Sequence, residues 1–185
     1  MKPILGITMG DAAGAGPEII TMALARPEVQ ACCRPLVIGH YGAMEQARRI
    51  TNASIHLRPI SSLEEAQFLP GQMDVLQTGE IDLSRLTYGK VDPMTGAAAY
   101  ACVARAAQLA LDGKIDAVVT SALNKEALNL AGYHYSGHTE ILAELCGVTD
   151  VAMMLAAGDF RVTHVSTHCS LREAIARVRK ERILQ

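Results

Sequence analysis

Residues 3–8 form a short apolar run containing Ile4, Ile7 and Thr8. It breaks directly into Gly10-Asp11-Ala12-Ala13-Gly14-Ala15-Gly16-Pro17-Glu18. An uninterrupted apolar strand suits the middle of a sheet covered on both faces, which is the habit of parallel sheets. Pro17 fits the first position of a helix, where its missing N–H costs nothing. Glu18 then lies in the first turn, favourable to the helix dipole, and Ile19, Ile20, Ala23 and Leu24 supply an apolar face. A second strand at 36–39 and a second helix at 41–50, with Met44 and Ala47, repeat the unit. This β-α-β-α order predicts an α/β protein with a largely parallel sheet flanked by helices.

The pattern loosens and then resumes. Short strands are expected at 55–57 and 73–76, punctuated by Pro59, Pro70, Gly71 and Gly79. Ser61 or Ser62 can cap a brief helical turn over 61–67. Residues 95–111 are alanine-rich and read as a helix stopped by Asp112-Gly113. Its small side chains predict close packing against another surface. A strand at 115–119 follows, then helices at 124–130 and 139–146, ended by Gly132 and Gly147. Further strands are expected at 151–155 and 161–166. Ser170 can cap a last helix carrying Leu171, Ile175 and Val178 on one face. The sheet reads as truncated after that helix.

Composition excludes several classes of function. Half of the 185 residues are hydrophobic, enough for one sizeable core or two small ones. A net charge of −2 gives no basic field for nucleic acid. Aromatic residues are only 4% and tryptophan is absent, leaving little for base stacking. No apolar run approaches the roughly 20 residues of a membrane span, and the early Gly6 and Asp11 do not suit a signal peptide. A cytoplasmic protein is the expectation. Cys32, Cys33, Cys102, Cys146 and Cys169 form no C-x-x-C pair, so neither a disulfide framework nor a zinc ribbon is expected. Cys102 reads as a small core residue, whereas Cys169, beside His168, could serve as a soft ligand.

Polar side chains gather where the predicted strands end. Thr120-Ser121-Ala122-Leu123-Asn124-Lys125-Glu126 is followed by Tyr133-His134-Tyr135-Ser136-Gly137-His138-Thr139-Glu140, and later by His164-Val165-Ser166-Thr167-His168. Ligands of open α/β sheets bind outside the carboxyl ends of strands, so an enzyme is the leading reading. The glycine turn matches neither a Walker loop nor G-x-G-x-x-G; a structural turn and a ligand-contacting one both stay open. His138 follows Gly137 at a helix start, where its ring and the Thr139 hydroxyl can meet a substrate. Glu140 can cap that helix. Lys125 opposes the dipole of its own helix, which predicts an acidic group nearby. On a strand, His164 and His168 would stand about 13 Å apart, too far to chelate one ion, and His168 is the better candidate. His56 and His134 read as surface residues. A metal-free α/β binding module, or a non-catalytic partner of an intact homologue, are the rival classes.

Taken in order, GDAAGAGPEII, TSALNKEALNLAG, YSGHTE and HVSTHCSLREA resemble the 4-hydroxythreonine-4-phosphate dehydrogenases, including the 4-phospho-D-threonate and 4-phospho-D-erythronate enzymes. Ala12 and Ala15 depart from the family's usual proline and larger aliphatic residue. The resemblance implies a fold like that of isocitrate and isopropylmalate dehydrogenases, with two α/β lobes, of which residues 1–185 are the N-terminal portion. It implies a homodimer of pyridoxine biosynthesis that uses NAD and a divalent metal (zinc, magnesium or cobalt). The 3-hydroxyl of a small phosphorylated four-carbon hydroxy acid would be oxidised, with decarboxylation following. His138 and Thr139 match the substrate-binding pair, and His168 the first of three metal-binding histidines. No residue is assigned as catalytic or cofactor-binding, and the chain alone is expected to be inactive. Asn124-Lys125-Glu126 looks more like the threonate and erythronate members.

Overall fold

The computed structural model describes residues 2–167 and 169–184. They fall into two compact units, residues 1–147 and 148–185. In the first, five parallel strands form one sheet: β1 (Ile4–Thr8), β2 (Arg34–Gly39), β3 (His56–Ile60), β4 (Gln72–Gln77) and β5 (Ala117–Thr120). Their spatial order is β3-β4-β2-β1-β5. The helices are α1 (Gly16–Leu24), α2 (Pro27–Cys32), α3 (Tyr41–Thr51), α4 (Pro93–Leu111), α5 (Lys125–Leu130) and α6 (His138–Leu145).

The strand order follows from burial. Leu36, Val37 and Ile38 of β2 are wholly buried, as are Met73 and Val75 of β4, so these apolar runs occupy the centre. Neighbours pair in strict register, Ile7 with Val37 and with Val119. At the start of β1, the Ile4 N–H donates to the Asp116 carboxylate at 2.7 Å, and the Asp116 N–H donates back to the Ile4 carbonyl. At the far edge lies β3, with Pro59 within it. Proline cannot donate to a ladder and is tolerated at an edge. Asp74 is a buried carboxylate on β4. It accepts N–H bonds from Gln67 and Phe68 at 2.9 and 2.8 Å, and the Arg58 guanidinium lies 3.3 Å away.

Helix ends obey their local chemistry. Asp92 caps α4 by accepting from the Met94 N–H, and Pro93 takes the first helical position. Along α4, Ala98, Ala99, Cys102, Ala106 and Ala107 are buried, and a Cβ on Gly96 would fall 2.2 Å from the Ala127 carbonyl oxygen. The predicted close packing is therefore against α5. The second unit pairs β6 (Met154–Ala157) with β7 (Phe160–Thr163) as an antiparallel hairpin, followed by α7 (Leu171–Arg177) and α8 (Lys180–Ile183). The strands expected at 151–155 and 161–166 therefore pair with each other, and every residue of β6 and β7 is exposed. The first of the two begins three residues later than its apolar run suggested. Ser170 caps α7 in a reciprocal box with Glu173. Among the described residues, no helix is long and apolar enough to cross a membrane.

Candidate functional site

From β1 the chain passes to β2 on one side, and it later returns to β5 on the other. The carboxyl ends of β1 and β5 thus flank the point where strand order reverses, the usual place for a ligand crevice in open α/β sheets. Both motif-bearing loops of this unit begin there. The glycine turn leaves β1, and Ser121-Ala122-Leu123-Asn124 leaves β5.

These two loops are bolted together. The Asp11 N–H donates to the Ala122 carbonyl at 2.9 Å, and the Ser121 N–H donates to Thr8 Oγ1 at 3.4 Å. Gly10 has φ +76°, and a Cβ there would meet the Ala122 carbonyl oxygen at 2.5 Å. A Cβ on Gly16 would lie 2.6 Å from Ser121 Oγ and 2.7 Å from the Met9 carbonyl oxygen. Asp11 is buried, and its Oδ1 accepts the Ala13 N–H at 2.8 Å inside the same turn. Of the two readings left open for the glycine turn, the structural one thus has direct support.

Beyond that loop, Asn124 caps α5 by accepting the Ala127 N–H at 3.0 Å. Val103, Leu128 and Ile141 bury a small second core between α4, α5 and α6. Tyr133 stacks on Tyr100 with ring centroids 3.8 Å apart, and Tyr135 lies 6.0 Å from Tyr100 on a nearly parallel plane. The Tyr135 hydroxyl donates to Glu144 at 3.0 Å, a bond that pushes its ionisation up to about 12. The tyrosines thus anchor the segment that leads into α6, while His134 between them is exposed. Their role escaped the sequence reading, although alternate tyrosines around an exposed histidine carry the period of two that marks one packed face.

His138 opens α6, which has no side-chain cap. Its ring is half-buried, and Nε2 is a buried nitrogen with no hydrogen-bond partner. Burial lowers the imidazole below its ordinary range, opposed by a hydrogen bond with the Ser121 backbone. Thr139 is adjacent and exposed. Glu140 accepts the Ser136 N–H at 2.8 Å. Hydrogen bonds to Ser136, with the Lys125 charge as a smaller influence, hold its carboxyl below the usual range. The acidic neighbour expected for Lys125 is therefore Glu140. This arrangement offers a neutral imidazole, a free hydroxyl and uncapped helix N–H groups, a set suited to orienting a polar anionic ligand.

One metal ligand, His168, is expected within this chain. His168 lies outside the described residues. His164, in the second unit, is half-buried, with its N–H bonded to the Met153 carbonyl and Nδ1 unpartnered. Among the described residues, no group of three or more histidine, cysteine, aspartate or glutamate side chains could hold a metal ion. Cys102 is fully buried, as expected, and burial pushes its thiol up to about 12.

Comparison with known proteins agrees with this fold. Residues 31–185 match the family model of the pyridoxal phosphate biosynthetic protein PdxA. D-threonate 4-phosphate dehydrogenase of Cupriavidus necator is 47% identical over 95% of this chain and 53% of its own length. 4-Hydroxythreonine-4-phosphate dehydrogenase of Trichlorobacter lovleyi is 40% identical over 100% of this chain and 55% of its own. A crystal structure of a 4-hydroxythreonine-4-phosphate dehydrogenase from Burkholderia phymatum superposes with a TM-score of 0.94 at 44% identity, covering 99% of this chain and 55% of that one. The chain thus spans about half the length of the relatives it matches. With its motifs in order, its parallel sheet and these matches, it belongs to the PdxA family, among proteins named 4-hydroxythreonine-4-phosphate and D-threonate 4-phosphate dehydrogenases.

Proposed function

We propose that the whole protein is an NAD-dependent, divalent-metal-assisted dehydrogenase of a phosphorylated four-carbon hydroxy acid. Its product would be a 3-keto acid that loses carbon dioxide. It would work as a cytoplasmic homodimer of two α/β lobes, residues 1–185 forming the N-terminal portion. Among the substrates of the matched relatives, 4-phospho-D-threonate is favoured. The Cupriavidus necator enzyme named for D-threonate 4-phosphate is 47% identical, and Asn124-Lys125-Glu126 looks like the threonate and erythronate members.

The observation that carries the reading is the unpartnered, buried Nε2 of His138 at the start of α6. A buried polar atom without a partner is costly and calls for an explanation, and a bound substrate supplies one. His138 and the Thr139 hydroxyl would orient the acid at a helix N-terminus that also favours its negative charge. When bound, NAD would supply the hydride acceptor, and a divalent metal, held in part by His168, would supply positive charge beside the substrate oxygen. Holding the reacting carbon in line is the protein's share, and misalignment alone can cost about 100-fold in rate.

Variants of a chain extended to the length of its relatives test the two roles. His138→Ala should raise KM and leave metal affinity nearly intact. His168→Ala should weaken metal binding and lower kcat, with partial rescue by excess metal. Calorimetric metal titration and steady-state kinetics separate them, and the opposite pattern would show both roles to be misassigned. The 185-residue chain alone should reduce no NAD, since a catalytic metal takes about three protein ligands and the family resemblance assigns it one.

A further inference from the structure

Cys32 and Cys33 close α2 where the chain turns into β2. Both thiols point at one atom: Cys32 Sγ donates to the Val29 carbonyl at 3.1 Å, and Cys33 Sγ donates to it at 3.3 Å. The sulfurs therefore stand no further apart than those two distances laid end to end. Cys32 is open to solvent, while Cys33 is buried and borders a cavity of about 110 Å³. Phe68, Leu69 and Pro70 give that cavity an apolar wall. Arg34 and Gln72 also line it, so it lies at the amino ends of β2 and β4, opposite the carboxyl ends that frame the candidate site.

A thiol pair can close on itself, hold a metal ion, or clasp a bridging metalloid. A direct disulfide fits badly here. Neighbouring Cα atoms joined by a trans peptide are about 3.8 Å apart, short of the roughly 4.4 Å at which the usual disulfide range begins. Burial also raises the Cys33 thiol above its ordinary value, and attack on a disulfide is a reaction of thiolates. Zinc fits no better, because a structural site takes about four ligands. Among the described residues, no group of three or more histidine, cysteine, aspartate or glutamate side chains could hold a metal ion. A centre content with two sulfurs does fit. With the zinc–sulfur length as a guide, two bonds of about 2.3 Å span a gap that one bond of about 2 Å does not.

We propose that Cys32 and Cys33 form a two-sulfur site for a soft, thiophilic centre of the trivalent organoarsenical class, with its organic group against Phe68 and Leu69. Soft sulfur ligands select soft centres. Capture is a condensation with no change of oxidation state. Two S–H bonds and the arsenic–oxygen double bond give way to two As–S bonds, and the oxygen leaves with both protons as water. The exposed Cys32 sulfur binds first. The second bond is then intramolecular, which strengthens retention at least about 100-fold over a single thiol. Cys102, Cys146 and Cys169 have no adjacent cysteine to supply that second bond.

The test loads the 185-residue chain with phenylarsine oxide, challenges it with rising 2-mercaptoethanol and weighs it intact by mass spectrometry. One phenylarsenic group per chain should persist, and peptide mapping, which needs no variant, should place it on the segment holding both cysteines. Cys32→Ser alters an exposed residue, so its melting temperature should match that of the unaltered chain. It should release the group at a monothiol concentration at least about 100-fold lower. The double variant Cys146→Ser with Cys169→Ser should retain it as the unaltered chain does. The proposal is overturned by a group that maps elsewhere, by equal retention in Cys32→Ser, or by loss of retention in the double variant. An unaltered chain that holds no group once monothiol is added overturns it as well. None of these readouts depends on dehydrogenase activity.

Discussion

Asp74 shows what one buried side chain does for the fold. Its carboxylate receives two backbone N–H groups and faces a guanidinium, so the loop between β3 and β4 closes over it. Asp74→Ala strands those donors and the Arg58 charge, and should cost about 3 kcal/mol. Urea denaturation measures this, and a loss under about 1 kcal/mol would mean that water replaces the carboxylate. Glu45 makes a prediction about acidity. Hydrogen bonds from Arg48 first, and from Arg49, hold its carboxyl down at about 2. A depressed carboxylate contributes stability above its unfolded value near 4.5 that disappears as pH falls through the folded one. Thermal melts of Glu45→Gln and the unaltered chain should therefore differ at pH 6 and converge toward pH 2; a constant gap would exclude this linkage. The site was partly legible at this scale. Gly137 before His138 marks a helix start, and Lys125 against its own dipole announced Glu140. The junction of Thr8 and Ser121 gave no signal, because it follows from a strand pairing that no local pattern encodes.

Elements were legible where burial imposes a period. The central strands and α4 stand where their apolar runs predict, within a residue or two at most ends. Two helices went unread, α2 and α8. Each is short and has no buried residue, so neither carries the apolar stripe by which a helix announces itself. The hairpin of β6 and β7 misled in the opposite way. Its apolar side chains look like core, yet they are exposed, and an alternation of residue types cannot say what covers a strand. The contact between α4 and α5 offers the clearest test at this scale. Gly96→Ala pushes a methyl group into the Ala127 backbone, and rigid packing should make this cost about 3 kcal/mol. Gly113→Ala has open space around it and only φ +66° to resist, so about 1 kcal/mol is expected. Equal melting temperatures for the two variants would show that α5 simply moves aside.

On the scale of the molecule, large apolar side chains accumulate in the second unit. Phe160, Leu171, Ile175 and Leu184 are each more than two-thirds exposed, at 70%, 78%, 68% and 73%. Exposed apolar surface of this kind drives association. The chain should therefore self-associate as its concentration rises, and Phe160→Ser with Leu171→Ser should reduce that; a monodisperse monomer in light scattering across the range would refute it. The sheet of the first unit is asymmetric in a different respect. At the β3 edge, Pro59 removes a donor from the row that a newcomer would need. The β5 edge, Ala117-Val118-Val119-Thr120, has no such stop. A parallel sheet built this way has a direction of growth. Any added strand, whether from the same polypeptide or from another, is templated beside β5 and refused beside β3, so the sheet can widen only from the side that holds the reversal of strand order.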